Sequence, residues 1–175
     1  MSQLLHLSSA PHDRGSLSTK TVMRDVLVAL LPTAVLGVWA HGWYAGFIML
    51  VSIAAAVVTE YLFNLATKRG NTLGDASAVV TGLLLALTLP AEVPVYVPVL
   101  GSVFAILVVK CLFGGLGHNI MNPALAGRAF LLISFGVAMT GYTLDGVSAA
   151  TPLSEIASGN TVDVVAMCLG NTSGI

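Results

Sequence analysis

The chain alternates long apolar runs with short polar breaks. A helix needs about 20 apolar residues to cross roughly 30 Å of hydrocarbon. The first candidate span is DVLVALLPTAVLGVWA, about Asp25 to Ala40, with Pro32 inside it. Membrane helices tolerate such a proline where neighbours satisfy the freed carbonyl. The second candidate is YAGFIMLVSIAAAVVTEYLFNLA, about Tyr44 to Ala66. Trp39, Trp43 and Tyr44 cluster at the turn between the two, as an interfacial aromatic belt does. The third run, ASAVVTGLLLALTLP, ends at Pro90 and is too short to cross untilted, so it predicts a half-span or a re-entrant element. The fourth candidate runs from about Val95 to Leu112, and the fifth from near Asn122 to about Thr140. A further apolar start, VDVVAMCL, opens close to the end. The pattern predicts an all-α polytopic membrane protein with about five membrane segments. It divides into a polar N-terminal arm (1–24), a transmembrane bundle (25–140), an outer loop (141–163) and the start of another segment (164–175).

Composition strengthens this picture. Only 9% of residues are charged and 56% are hydrophobic, whereas an ordinary soluble domain carries about 25% charged residues. Such a chain cannot cover a water-facing surface. The net charge of −1 gives no support to a nucleic-acid partner. Cys111 and Cys168 form no Cys/His cluster and read as small buried hydrophobes. The first residues contain SSAPHDRGSLSTK and lack the apolar core of a cleavable signal, so insertion is expected to rely on the first span. CLGNTSGI stops soon after an apolar segment opens. The expectation is a fragment, or half of a larger protein.

Lysine and arginine positions set the expected orientation. Arg14, Lys20 and Arg24 precede the first span, Lys68 and Arg69 follow the second, and Lys110 closes the fourth. Glu92, Asp145, Glu155 and Asp163 mark the opposite loops, which carry no Lys or Arg. The positive-inside rule then places the N-terminus, the Lys68 loop and the Gly114 loop in the cytoplasm. Five crossings put LDGVSAATPL, Leu144 to Leu153, on the outer face.

Chemistry has few places to reside. In FGGLGHNIMNPALAGRAF, three glycines give a close-approach loop, and Asn122 can cap a helix that starts at Pro123. Arg128 lies inside that apolar helix. It is either a ligand contact or ion pair in the interior, or a snorkelling cation at the interface. His118 is a loop-packing histidine or a working one. Glu60 is an intramembrane acid for an ion or proton, or an interfacial acid near Lys68 or Arg69. Asp75 carries the same choice, its alternative being a helix cap. Asp25 beside Arg24 reads as an interfacial pair. In LDGVSAATPL, Asp145-Gly146 is a turn pair and Pro152 fixes the chain after Thr151. No general base stands near Ser148 or Thr151 in sequence, which argues against a hydrolase nucleophile.

Three segments together carry a resemblance. SSAPHDRGSLSTKTVMRDVLVALLP, GGLGHNIMNPALAGRAF and DGVSAATPL resemble the RnfD family, a membrane component of Rnf electron-transport complexes. That family is related to NqrB, a membrane component of the sodium-translocating NADH:quinone reductase. The last segment looks like its flavin-attachment motif, in which a threonine hydroxyl carries FMN through a phosphoester bond made by a separate flavin transferase. Carried over by position, the attachment residue is Thr151, with Asp145, Gly146, Ser148 and Ala150 completing the recognised sequence. Ala149 stands where the family more often has Gly. The resemblance implies a flavin relay within a multisubunit ferredoxin:NAD⁺ oxidoreductase of a bacterial inner membrane, coupled to outward Na⁺ or H⁺ movement. Glu60 and Asp75 are candidates for the ion path. It also implies a urea-transporter-like fold of two inverted five-span repeats, of which this chain holds about the first. Some members hold a second, non-covalent flavin, and Arg128, Asn122 and His118 are the candidates for such a pocket. Two rival classes stay open: a urea-transporter-like channel or transporter without cofactor, and a purely structural membrane subunit.

Overall fold

The structure is a computed structural model that describes residues 18–68 and 73–140, together with two short strands, β1 (Thr143–Leu144) and β2 (Val147–Ser148). Everything else in the chain lies outside the described residues, including Thr151, Ala150, Asp145, Gly146 and Cys168. The two strands pair antiparallel, Thr143 with Ser148 and Leu144 with Val147.

The described part is otherwise helical. Helix α1 spans Thr19–His41 and α2 spans Trp43–Thr67. α1 begins at Thr19, where the hydropathy pattern predicted Asp25, so Lys20 and Arg24 ride on its first turns. Ser18 is extended and its carbonyl accepts from Val22 N at 3.1 Å. Pro32 sits inside α1 without ending it. Gly42, at φ +78°, makes the sharp turn into α2; a side chain would strain that conformation. The hairpin closes through small residues, with Gly37 against Met49 and Gly46 against Val38. α1 and α2 are each long and apolar enough to cross a membrane.

A 3-10 turn at Leu73–Asp75 leads into α3, Ser77–Leu87. Its 11 residues rise only about 16 Å, the half-span its length predicted. α3 is also heavily buried: Ala78, Val80, Leu83, Leu85 and Ala86 all face neighbours. α4 follows over Tyr96–Cys111. Its first half, Tyr96–Val103, is α-helical and its second, Phe104–Cys111, is π-helical.

That change of winding has a reading in the sequence. Buried positions along α4 recur every four residues, as Gly101, Ala105, Val109 and as Ser102, Ile106, Lys110. In a 3.6-residue helix each four-residue step drifts by about 40°, so two steps turn a side chain well off its face. The wider i→i−5 turns cancel the drift. They hold Lys110 on the face that Ser102 defines.

The fifth predicted span is broken. α5 covers Pro123–Ser134 and α6 covers Gly136–Thr140, with Phe135 at φ −131°, ψ 45° between them. α5 starts as its sequence predicts: Asn122 Oδ1 accepts from Ala124 N at 3.0 Å, and Pro123 fills the first turn. Its inner face is Ala124, Gly127 and Leu131, the i, i+3, i+7 stripe of an amphipathic helix. It runs antiparallel to α4, where Phe104 stacks on Phe130 at 4.3 Å and Tyr96 meets Phe135 edge-on at 5.7 Å.

α2 is the centre of the bundle. α3 runs antiparallel to it and α4 parallel, so α2 and α4 face each other in register. Ser52 meets Ser102, and Glu60 meets Lys110, each pair fifty residues apart. The two rungs are eight residues apart on α2, about 12 Å along its axis. Large apolar side chains cover the outside: Trp39 is 83% exposed, Ile133 85%, Trp43 90% and Val137 90%. A surface of that kind faces lipid or other protein, not water.

Candidate functional site: a buried charge relay

The first rung is a close crossing. Ser52 Oγ donates to Gly82 O at 2.8 Å and shares a hydrogen bond with Ser102 Oγ at 2.9 Å. Ser102 Oγ also reaches Ser52 O at 3.1 Å. Small residues let the three backbones approach, as in many membrane helix crossings.

The second rung carries charge. Glu60 on α2 and Lys110 on α4 are 1% and 2% exposed. Lys110 Nζ donates to Glu60 Oε1 at 2.7 Å and to Ser77 Oγ at 2.5 Å. Ser77 Oγ in turn donates to Asp75 Oδ1 at 2.7 Å, and Ser77 N donates to the same oxygen at 3.0 Å. The result is a continuous relay, from a half-buried carboxylate through a hydroxyl and an ammonium to a buried carboxylate. Thr81 Oγ1 donates to Ser77 O at 2.9 Å and ties the relay to the next turn of α3. Glu60 lies seven residues before the end of α2, about 10 Å inward along the helix.

Two cavities meet this cluster. One, of about 280 Å³, is lined by Glu60, Asn64, Asp75, Lys110 and His118, together with the glycine loop. Gly114, Gly115 and Gly117 all have positive φ there, a conformation that glycine alone adopts freely. Gly115 N donates to Lys110 O at 3.0 Å and His118 N to Gly115 O at 3.1 Å, so the loop folds back over the end of α4. The other cavity, about 400 Å³, reaches the cluster at Ser77 and is lined also by Thr81, Asn119 and Asn122. The Oδ1 of Asn119 is buried with no hydrogen-bond partner among the described residues. A larger groove of about 860 Å³ along α1 and α2 is apolar except for Arg24. It has no convergent polar groups, unlike the two cavities at the relay.

Several sequence expectations can be placed against this geometry. Glu60 is an interior acid; its pairing with Lys110 replaces the reading as an interfacial acid beside Lys68 or Arg69. Asp75 does the capping predicted for it, since it accepts from Ser77 N, and is also a member of the relay. His118 is exposed at the cavity rim. Asn122 caps α5. Arg128 is exposed on the outward face of α5, one position past Gly127, and is not part of an interior ion pair among the described residues. Arg24 and Asp25 pair at 3.6 Å with both side chains exposed, and Cys111 is buried, as its reading as a small hydrophobe predicts.

Lys110 is the residue that sequence reasoning placed wrongly. It reads as a loop cation that orients the fourth span, whereas it is buried and paired. A signal existed: Glu60 and Lys110 are single opposite charges within two apolar spans. A charge inside the hydrocarbon is costly unless it is paired.

These features define a helical membrane bundle built around a buried charge relay. The chain belongs to the NQR2, RnfD, RnfE family, whose profile matches residues 6–175. It is similar to the D subunit of the Na⁺-translocating ferredoxin:NAD⁺ oxidoreductase complex of Acetobacterium woodii, 44% identical over 90% of this chain and 51% of that protein. The proton-translocating counterpart of Clostridium ljungdahlii is 44% identical over 84% of this chain and 46% of its own. The D subunit of the ion-translocating oxidoreductase complex of Shewanella denitrificans is 38% identical, covering 94% and 48%. The chain thus spans about half the length of the curated relatives it matches.

Proposed function

We propose that this chain is part of the flavin-carrying membrane subunit of an ion-translocating electron-transport complex of the Rnf type. It works with the other subunits of that complex in a bacterial inner membrane. The observation that carries the reading is the Asp75–Ser77–Lys110–Glu60 relay, buried within a membrane bundle and bordered by polar cavities. Intramembrane ionisable groups are kept for ion or proton pathways and paired with one another. In this reading Asp75 is the outer acid of a cation path and Glu60 the inner one. The face beside the end of α2 is cytoplasmic, in keeping with Lys68, and the Thr151 loop is periplasmic. Replacing Glu60 by Gln in the assembled complex removes the inner acid. Ion uptake into inverted vesicles is expected to fall well below its ratio to electron transfer in the parent. An unchanged ratio of ions moved to electrons passed sinks the ion-path reading.

The flavin part of the proposal rests on DGVSAAT. The chemistry of the set fits a covalent nucleotide: a threonine hydroxyl can hold a phosphoester, which keeps one negative charge for backbone N–H groups to bind. FMN at Thr151 would supply one- and two-electron redox chemistry. Asp145, Gly146, Ser148 and Ala150 are the residues a flavin transferase would read. Of these the structure gives only the backbone of Ser148, the last residue of β2. The test is in-gel flavin fluorescence after SDS denaturation, in cells that contain the transferase. A fluorescent band lost on Thr151→Val is the expected result. A dark parent band, or fluorescence that survives the substitution, defeats the flavin assignment. A second, non-covalent flavin near Arg128, Asn122 and His118 would show as flavin released on denaturation.

A further inference from the structure

We propose that the Lys110 ammonium is a tethered stand-in for the transported cation. It occupies the seat between Glu60 and Ser77–Asp75 that an alkali cation takes, and a cation arriving from the cavity must displace it. The proposal rests on the ion-path reading of Glu60 and Asp75, and its test below is a binding measurement that stands apart from the transport assay above.

Four features of the site point this way. Lys110 Nζ sits among oxygens, with Glu60 Oε1 at 2.7 Å and Ser77 Oγ at 2.5 Å. Carboxylate and neutral oxygens are what hard cations take as ligands, and an ammonium is the side-chain charge closest to a compact cation. Next, the seat is not sealed by packing. The cavity of about 280 Å³ borders Glu60, Asp75 and Lys110 together, room for several waters at about 30 Å³ each. An ion pair kept only for neutrality needs no such space. Third, a second carboxylate, Asp75, stands one hydroxyl away from the ammonium, through Ser77 Oγ. Lys20 of α1 is exposed, with its Nζ alongside Gly74 and outside the buried relay. Last, the stem can move. Lys110 stands at the end of the π-helical stretch, followed by three positive-φ glycines, and its four-carbon stem can swing Nζ into the cavity without a helix shift.

The arrangement has a functional consequence. While the ammonium is seated, Glu60 never lacks a positive neighbour, so the inner acid does not draw in a cation unprompted. A cation's apparent affinity is reduced by the fraction of time the seat is free. The tether therefore suppresses uncoupled leak, and any event that pulls Lys110 aside raises affinity for the ion. No covalent or redox step is involved.

The test uses the purified complex with its full-length subunit, carrying Lys110→Met, melted in NaCl and in choline chloride at equal ionic strength. Binding to the folded state alone raises the melting temperature by mass action. The variant is expected to gain a Na⁺-specific rise in melting temperature, at Na⁺ concentrations at least about tenfold below any that affect the parent. The double variant E60Q/K110M, which has no charge at the rung, is expected to lose that response. Lys110→Arg, which keeps a cation in the seat, is expected to behave as the parent. A purely structural ion pair gives a different result: K110M melts lower, by the same amount in both salts. That outcome overturns the proposal, as does a Na⁺ response retained in full by the double variant. If K110M does not assemble, Lys110→Gln keeps hydrogen-bond donors without charge and is read the same way. Failure of both variants to assemble in either salt also overturns it, because a seated Na⁺ would have replaced the missing charge.

Discussion

Gly82→Ala tests the crossing on which the relay depends. A Cβ at Gly82 would lie 2.8 Å from Ile53 Cα, 2.9 Å from Ser52 O and 3.1 Å from Ile53 N. Carbon atoms pack comfortably at about 3.5–4.0 Å. All three obstructing atoms are backbone, so no rotamer change relieves the contact, and α3 must retreat from α2 by close to an ångström. Overpacking of this kind costs about 1–3 kcal/mol. The retreat also stretches the Ser52 Oγ to Gly82 O hydrogen bond from 2.8 Å, and such bonds average about 0.6 kcal/mol in membrane bundles. Alanine returns at most about 1 kcal/mol of helix propensity. The net expectation is a loss of about 1–3 kcal/mol. Gly136→Ala is the matched control, because nothing lies within 4 Å of a Cβ there. Equilibrium unfolding in mixed detergent and SDS micelles, followed by helical circular dichroism, compares the two. If Gly82→Ala is as stable as Gly136→Ala, the close α2–α3 crossing is wrong, and with it the placement of Ser77 over Glu60.

Three further outcomes follow from the same contacts. Glu60→Ala strands a buried ammonium and is expected to cost about 3–5 kcal/mol, whereas E60L/K110L, which replaces the pair with apolar side chains, should recover most of that loss; equal damage from both would show that the pair is not coupled. Asn122→Ala removes the acceptor for Ala124 N and should lower stability by about 1 kcal/mol, while Asn122→Asp or Ser keeps the cap and costs little; chemical denaturation reads both. Gly114→Ala forces a side chain into φ +114°, so it should raise the protease sensitivity of the loop and leave the Ser52–Ser102 rung intact, the latter read by hydrogen exchange of α2.

The sequence made the α1–α2 hairpin plain because an unbroken apolar run needs no partner to declare it. The half-length of α3 was equally plain from Pro90. The break at Phe135 was not, since an apolar aromatic gives no local sign of leaving the helix. Arg128 was less legible. It stands about 40° from Ala124 and about 60° from Leu131 around the helix, at the edge of the buried stripe, so periodicity leaves its direction open and the structure turns it outward. Lys110 was the harder case. A lysine at the end of an apolar run resembles an interfacial anchor; the lone opposite charge of Glu60 in another apolar span hints at a pair, and the third dimension brings the two into contact. Thr151 and its neighbours lie outside the described residues, so that assignment still stands on the motif.

The two rungs explain each other. Ser52, Gly82 and Ser102 can close tightly because hydroxyls satisfy themselves at short range, with no charge to solvate. Eight residues along α2, the same three helices must carry Glu60, Ser77 and Lys110, whose side chains are longer. The winding of α4 widens over that interval. A continuous α-helix from Ser102 would carry Lys110 off the α2 face by about 80° over eight residues, and Glu60 would then lose its ammonium partner. The π stretch is therefore a condition for the relay and not a defect in the helix. Where such widened turns occur, they are commonly tied to function. Deleting one residue between Phe104 and Val109 leaves Lys110 seven residues past Ser102, about 20° from its face in plain α winding, so the Ser52 crossing and the Glu60–Lys110 pair should both survive; deleting two turns Lys110 about 120° away and should abolish the pair alone. A cysteine cross-link between positions 52 and 102 that forms in both variants, while one between 60 and 110 forms only in the first, is the expected signature. Loss of the 60–110 cross-link in the one-residue deletion would refute the link between winding and relay.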